Sequence, residues 1–379
     1  MNLLPPLASL RRRVVMPRLN RPDLWLLIAA AGLAGLGLVL VFNASYFYAQ
    51  DRYGDPFIFF RKHLLALGFG SILLVAVSRV RLQWFEQIAY PLLIAMVLAL
   101  VMVLIPGLGV VRGGARRWIG LGHFHFQPSE FAKIAVVLYL ARSISRKQDR
   151  MQQFTTGILP HVVVVGVCAL LVAAQPDFGT AAILVLVCVL MLFGGGARPA
   201  YLVGLGLGAL PVIGMALLHA SYRQRRILAF LDPWRYSQDI AFQLVQSLIA
   251  FGSGGLTGVG LGASRQKMFF LPEAHTDFIF ALVGEELGVC GALLVLGLFA
   301  VVGMRGFRVA LRHPDSFASM LAFGVTLVLL LEAVVNVGVV VGLLPTKGLA
   351  LPFLSYGGSA LIGTLAEVGI LAALSRMTG

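Results

Sequence analysis

The sequence predicts an all-α polytopic membrane protein, and three observations carry that reading. Hydrophobic residues fill 59% of the 379 positions and charged residues 12%, about half the roughly 25% charged content of a soluble domain. The mean hydropathy is +0.90. The apolar residues also gather into runs close to the ~20 residues that a helix needs to cross a bilayer core. A cytosolic enzyme with a small membrane foot is excluded by this composition.

The chain begins with a basic tail, residues 1–23, carrying Arg11, Arg12, Arg13, Arg18 and Arg21. No small-residue cleavage site follows the first apolar run, so the tail reads as a cytoplasmic anchor and not as a signal peptide. It has few aromatic residues to stack on bases, and no nucleic-acid partner is expected. Spans are expected near 24–42, 64–78, 88–105, 128–142, 157–174, 179–193, 199–218, 277–303, 317–343 and 357–375. These make about ten transmembrane helices in one domain over 24–376. The 43 glycines suit close packing between membrane helices. Arg79, Arg81, Arg142, Arg146, Lys147, Arg150, Arg198, Arg305, Arg308, Arg312 and Arg376 fall on the side of the basic tail, which places both termini in the cytoplasm. Residues 219–276 then form a large extracytoplasmic loop between helices 7 and 8, and long loops are commonly functional. The acids lean outward: apart from Asp23, Glu86, Asp149 and Asp315 they lie outside or in the outer half. Cys168, Cys188 and Cys290 sit in apolar runs without metal or redox spacing and read as small core residues.

Five segments could carry chemistry. The most informative is Leu271 to Gly288, which puts His275, Asp277, Glu285 and Glu286 at the mouth of an apolar span. An aspartate at a membrane helix centre costs about 2.5–3.5 kcal/mol, so it is kept for a use or a partner. Asp277 could cap the helix, or sit a turn inside it if Pro272 and Glu273 form the first turn. At 100° per residue Glu285 is about 80° from Asp277 and Glu286 about 180°, so at most one shares its face. In the second segment, Gln127-Pro128-Ser129-Glu130 opens a helix, and Glu130 and Lys133 share a face three residues apart. The pair reads either as a buried structural ion pair or as a lysine that meets a phosphate or steers a catalytic carboxylate. Third, Gln175-Pro176-Asp177 makes a tight outer turn in which Asp177 is a turn former or a site residue.

Fourth, Arg223, Arg225, Arg226, Arg265 and Lys267 give the outer loop planar and point charges suited to diphosphate or lipid headgroups. The glycine-rich run 252–262 lacks a strand–helix context and is expected to be a flexible turn instead of a phosphate loop. Fifth, the run from Leu344 to Ser359 contains Pro345, Pro352, Gly357 and Gly358 among apolar residues. It implies irregular backbone at membrane depth, tolerated only where it is buried in protein or lines a wet cavity.

Taken together, these segments resemble the SEDS family (shape, elongation, division and sporulation) from about Arg21 to Arg376. The likeness rests on Arg117-Trp118, Gln127-Pro-Ser-Glu130, Gln175-Pro-Asp-Phe-Gly179, Leu231-Asp-Pro-Trp234, Leu271-Pro-Glu-Ala-His-Thr-Asp-Phe-Ile-Phe280 and Pro352-Phe-Leu-Ser-Tyr-Gly-Gly-Ser359, all in order. Leu271 to His275, Gly284 to Gly288 and Leu344 to Gly348 favour its cell-division branch over the elongation branch. The resemblance implies a peptidoglycan glycosyltransferase that polymerises lipid II at the outer face of the bacterial cytoplasmic membrane during septal wall synthesis. It also implies a class B penicillin-binding protein and other division proteins as partners. Asp277 matches the family's essential aspartate, and Glu130 with Lys133 match the polar pair near it. Ala360 and the Asp239 to Gln243 stretch depart from the family's pattern, which touches fine substrate contacts only.

The expected chemistry is a displacement in which Asp277 is the general base. Lys133, Arg117, Arg225 and Arg226 are expected to orient that base or bind the departing diphosphate, a task a divalent cation (Mg or Mn) could share. Gln127, Glu130, Asp177, His275, Lys347, Ser355 and Ser359 complete the expected substrate site. A lipid II flippase would use the same cavity without a base. An ion-coupled permease would need helices broken near the midplane, and a scaffold would need no intramembrane acids.

Overall fold

The computed structural model describes residues 21–112, 115–121, 124–218, 225, 228–268, 271 and 274–377. The structure is mostly helical. Its helices are α1 (Leu24–Tyr53), α2 (Ile58–Ser78), α3 (Leu82–Leu104), α4 (Pro128–Arg146), α5 (Leu159–Ala173), α6 (Phe178–Gly194) and α7 (Pro199–Leu218). They continue with α8 (Phe242–Gly254), α9 (Ile279–Arg312), α10 (Ser316–Val340) and α11 (Gly358–Ser375). Among the described residues seven helices are long and apolar enough to cross a membrane: α1, α2, α3, α5 with the turn before it, α9, α10 and α11. The other three expected spans fall on α4, which is charged and central, and on α6 and α7, which have shorter apolar stretches. Several boundaries move. Helix α1 runs on to Tyr53 and α9 to Arg312, well past the apolar windows that first suggest them.

One element departs from an all-helical reading. Strands β1 (Gly109–Arg112), β2 (Ala115–Leu121) and β3 (Phe124–Phe126) form a small antiparallel sheet in the order β1-β2-β3. Val110, Trp118, Ile119 and Phe126 are the branched and aromatic residues that suit strands. This sheet delivers the chain into α4, whose first residue, Pro128, has the φ a helix start requires and no amide to leave unbonded.

Helix α4 is the hub. It is buried on almost every side, from Ser129 through Ile144, by α3, α6, α10 and α11, as a helix enclosed by others must be. One end of the bundle is tied together by polar contacts. Asp23 caps α1 by accepting from the Leu26 amide at 3.2 Å, accepts from Arg305 Nε at 2.7 Å, and donates its own amide to Ser375 Oγ at 3.0 Å. Nearby in sequence order, Arg146 pairs with Glu86 and Gln148 donates to Ser316. The starts of α1, α3 and α10 thus meet the ends of α4, α9 and α11.

Helix α9 is interrupted. Gly288 has φ 65° and ψ −163°, which splits the helix into a short segment after Ile279 and a long one toward Arg312. The glycine-rich run after α8 fills the break. Val259 and Gly260 donate amides to the carbonyls of Glu285 and Glu286, and Val289 and Cys290 donate to Gly255 and Leu256. The backbone groups freed by the break are therefore paired, as they must be away from water. The expected flexible turn at 252–262 is instead a bonded plug.

Candidate active site

Asp277 lies in the turn 274–278, just before α9, and Phe278 occupies the cap position. It is neither the expected cap nor a residue one turn inside the helix. Helical angles therefore say nothing about its relation to Glu285 and Glu286. Its surroundings come from α10 and the irregular segment between α10 and α11. The Tyr356 amide donates to the His275 carbonyl at 2.9 Å, Ser355 Oγ donates to the Thr276 carbonyl at 2.6 Å, and Asn336 Nδ2 donates to the Asp277 carbonyl at 2.8 Å. Three successive carbonyls are thus fixed from one side. Gly348 packs so closely that a Cβ there would stand 2.8 Å from Asp277 Oδ2. Lys347 precedes it, half-buried, and burial pushes its amine below the usual lysine range. His275 stacks among Tyr48, Phe59 and Tyr356 at ring distances of 5.6, 5.0 and 5.8 Å.

Beneath this segment is a buried charge cluster. Lys133 Nζ donates to Glu130 Oε2 at 2.7 Å and to Glu332 of α10, with Lys133 only 4% exposed. Glu367 of α11, also buried, interacts electrostatically with the same lysine. A small cavity separates the cluster from the irregular segment and is lined by Glu130, Glu332, Leu349, Ser355 and Thr364 among others. Lys133 bonds two carboxylates here. This is the geometry of the buried ion pair, one of the two readings the sequence leaves open.

The remaining expected residues divide into supports and surface groups. Gln127 ties local segments: its amide donates to Ser359 Oγ at 3.1 Å, and its Nε2 donates to Ser129 Oγ at 3.1 Å. Ser359 in turn donates to the His125 carbonyl at 3.2 Å. Together they dock the end of β3 against the start of α11. Ser355 likewise serves the backbone, accepting from the Leu351 amide at 2.8 Å as well as bonding Thr276. Asp177 is buried and caps α6 by accepting from the Thr180 amide and hydroxyl at 3.2 and 3.0 Å. Burial raises its carboxyl above the usual range, and Arg117 opposes that rise. Arg117 reaches from β2 to donate to the carbonyls of Gln175 and Pro176. It pins the turn that presents Asp177. Arg225 is exposed, and Arg226 and Arg223 lie outside the described residues.

A second polar cluster lies at the α9 break and joins Glu285, Glu286 and Lys267, which the sequence singles out separately. Glu286 accepts from Asn43 of α1 and lies 3.5 Å from Lys267, whose ammonium also donates to Asn43 Oδ1 and the Gly262 carbonyl, both at 2.5 Å. Glu285 accepts from Ser264 Oγ and, at 3.0 Å, from the Arg265 amide. Lys267 is therefore a buried tie and not the headgroup contact its position in the loop suggests. Asn336, Glu332 and Glu367 were also missed as site residues. Their signal was present, because polar and ionisable groups inside apolar spans mark function or pairing by default.

Among the described residues no group of three or more His, Cys, Asp or Glu side chains could hold a metal ion. Glu130 and Glu332 are committed to Lys133. The described side chains therefore do not by themselves make a cage for a Mg or Mn ion.

These features define a class: a multi-pass membrane protein with a carboxylate held at a helix mouth, above a neutralised acid cluster. Residues 24–379 match the family model FTSW_RODA_SPOVE, described as cell cycle protein. The chain belongs to that family. It is 45% identical over 364 residues to the probable peptidoglycan glycosyltransferase FtsW of Geobacter sulfurreducens, covering 95% of this chain and 97% of the relative. It is 44% identical over 355 residues to stage V sporulation protein E of Bacillus subtilis, covering 94% and 97%. Among solved structures it resembles a chain of a peptidoglycan synthase complex that coordinates polymerization and crosslinking, with a TM-score of 0.79 and 29% identity over 94% of this chain and 98% of that one. It also resembles the rod shape determining protein RodA of Thermus thermophilus, with a TM-score of 0.69 and 28% identity over 94% and 97%.

Proposed function

We propose that this protein is a peptidoglycan glycosyltransferase of the cell-division branch, polymerising lipid II at the outer face of the cytoplasmic membrane at the septum. The observation that carries the reading is the seat of Asp277: its turn is held by three bonds to the carbonyls of residues 275–277, and its carboxylate lies against Gly348, next to Lys347. Names borne by close, full-length relatives support the reaction class. About ten spans with both termini inside fit the basic residues and the shared polar end built from Asp23, Arg305 and Ser375. In that orientation Asp277 and the 219–276 loop face outward.

Glycan extension requires the 4-hydroxyl of one GlcNAc to attack the anomeric carbon of a MurNAc as lipid diphosphate departs. Asp277 accepts the hydroxyl proton as general base. One carboxylate and one displacement invert the α-linked donor to a β-1,4 linkage. Lys347, Arg225 and Arg226 are the cations available for the diphosphate, and a diphosphate beside Lys347 restores the charge that burial disfavours. Lys133, Glu130, Arg117, Gln127, Asp177, Ser355 and Ser359 shape the site from behind, and His275 packs its aromatic wall. A Mg or Mn ion would draw most of its ligands from the diphosphate, as Mg commonly does, and no step above depends on it. A class B penicillin-binding protein is the partner that crosslinks the product.

The test uses purified full-length protein and lipid II, with its class B partner at matched level and the transpeptidase blocked. Glycan chains are expected. Lipid II crossing vesicle membranes with no chains formed would replace the polymerase with a flippase.

A further inference from the structure

We infer that Asn336 is a positioning residue for glycan transfer, and this inference rests on the reading of Asp277 as the base. Asn336 is on α10 and only 1% exposed. Its Nδ2 carries two hydrogens, and both are used: one bonds the Asp277 carbonyl at 2.8 Å and the other the Leu349 carbonyl at 2.6 Å. The amide orientation is fixed by this pair, because the flipped form would set Oδ1 against two carbonyl oxygens. One side chain thus joins the turn that carries the base to the irregular segment that carries Lys347 and Gly348.

The consequence is geometric. Asp277 stands outside α9, so the helix ladder does not place it. Leu349, held by Asn336, is adjacent to Gly348, whose Cα faces Asp277 Oδ2 with no room for a methyl group. The distance between the carboxylate and the Lys347–Gly348 backbone is therefore set through Asn336. Ser355 makes the parallel tie one residue earlier, from Thr276 to Leu351. It is the weaker control, since it touches neither Asp277 nor Leu349. Neither near-isostere supplies this pairing: aspartate of the same shape has no donor when ionised, and leucine of similar volume has none at all.

The test compares the full chain with Asn336→Asp, Asn336→Leu and Asn336→Gln in lipid II polymerisation beside the class B partner. A misplacement of about 1 Å can cost around 100-fold in rate. Asn336→Leu and Asn336→Asp are expected to lose at least ~10-fold in kcat while KM for lipid II moves less than about threefold. Asn336→Gln keeps both donors one methylene away and should recover part of the loss. Asn336→Asp should gain activity relative to wild type as pH falls, because protonation returns one donor. If Asn336→Leu proves unstable, the isosteric Asp variant and its pH profile still decide. Wild-type kcat in Asn336→Asp at neutral pH, or a loss confined to KM, would overturn the inference. An inactive wild type would instead remove the polymerase reading itself.

Discussion

Replacing Lys133 with methionine is expected to destabilise the protein by about 3–5 kcal/mol, the cost of leaving buried charges without their partner. The lysine is the shared counter-ion of Glu130 and Glu332, and all three side chains are nearly removed from solvent. Glu367 adds a third carboxylate within electrostatic reach. Methionine fills similar space, so packing loss is small and the effect reads the charge. Thermal unfolding in detergent checks it. Adding Glu332→Gln to Lys133→Met should restore much of the loss, because the remaining acids then carry one charge fewer. An unchanged unfolding midpoint in Lys133→Met would mean that water or ions, and not the lysine, neutralise these acids.

The second large effect is expected at the α9 break. Gly258 has φ +80°, and an added Cβ would lie 2.1 Å from the Glu286 carbonyl oxygen. Gly258→Val combines a left-handed backbone, which costs about 1–3 kcal/mol for a side-chain residue, with a backbone clash worth a further ~1–3 kcal/mol. The expected loss is roughly 2–6 kcal/mol from those two sources. It should be accompanied by release of the plug, read as faster hydrogen exchange at Val259 and Gly260, whose amides bond Glu285 and Glu286. Gly252→Ala is the control: it sits in α8 with open space around its Cβ and should be neutral or slightly stabilising. Equal effects of the two substitutions would contradict the plug.

The two clusters also explain what the sequence could and could not disclose. Apolar run length located the long helices, because the bilayer demands that length whatever the partners. Asp277 stood out for the same reason, as an acid beside an apolar span. The residues that hold it were harder to read. Asn336 reaches Asp277 across 59 positions, Lys133 reaches Glu332 across 199, and Asn43 reaches Glu286 across 243. No local periodicity encodes such pairings. The α9 break was hidden because Gly288 among apolar residues looks like a packing glycine. Its left-handed backbone follows from the seating of Gly255 and Leu256 against Val289 and Cys290. The sheet at 109–126 was missed because its strands are short and interrupted by glycines. Lys267 was misjudged for the opposite reason: a lysine in an outer loop is ordinarily solvated, and only the folded plug buries it against Glu286.

This reading also alters the division of labour within the expected site. Ser355 and Ser359 bond backbone carbonyls of neighbouring segments, Gln127 donates to the hydroxyls of Ser359 and Ser129, and Arg117 pins a turn. They act through the geometry they impose. In the proposed function the groups assigned to substrate are Asp277, Lys347, Arg225 and Arg226. That assignment places the chemistry at the junction of the 274–278 turn and the 345–357 segment.

The measurement that bears most directly on this account is lipid II polymerisation by Asp277→Asn beside wild type, each with the class B partner and each checked for an unchanged unfolding midpoint. Loss of the general base should lower the rate by about 10²–10⁴-fold, with the folded state and partner binding intact. Glycan chains made by the folded variant at the wild-type rate would show that Asp277 is not the base.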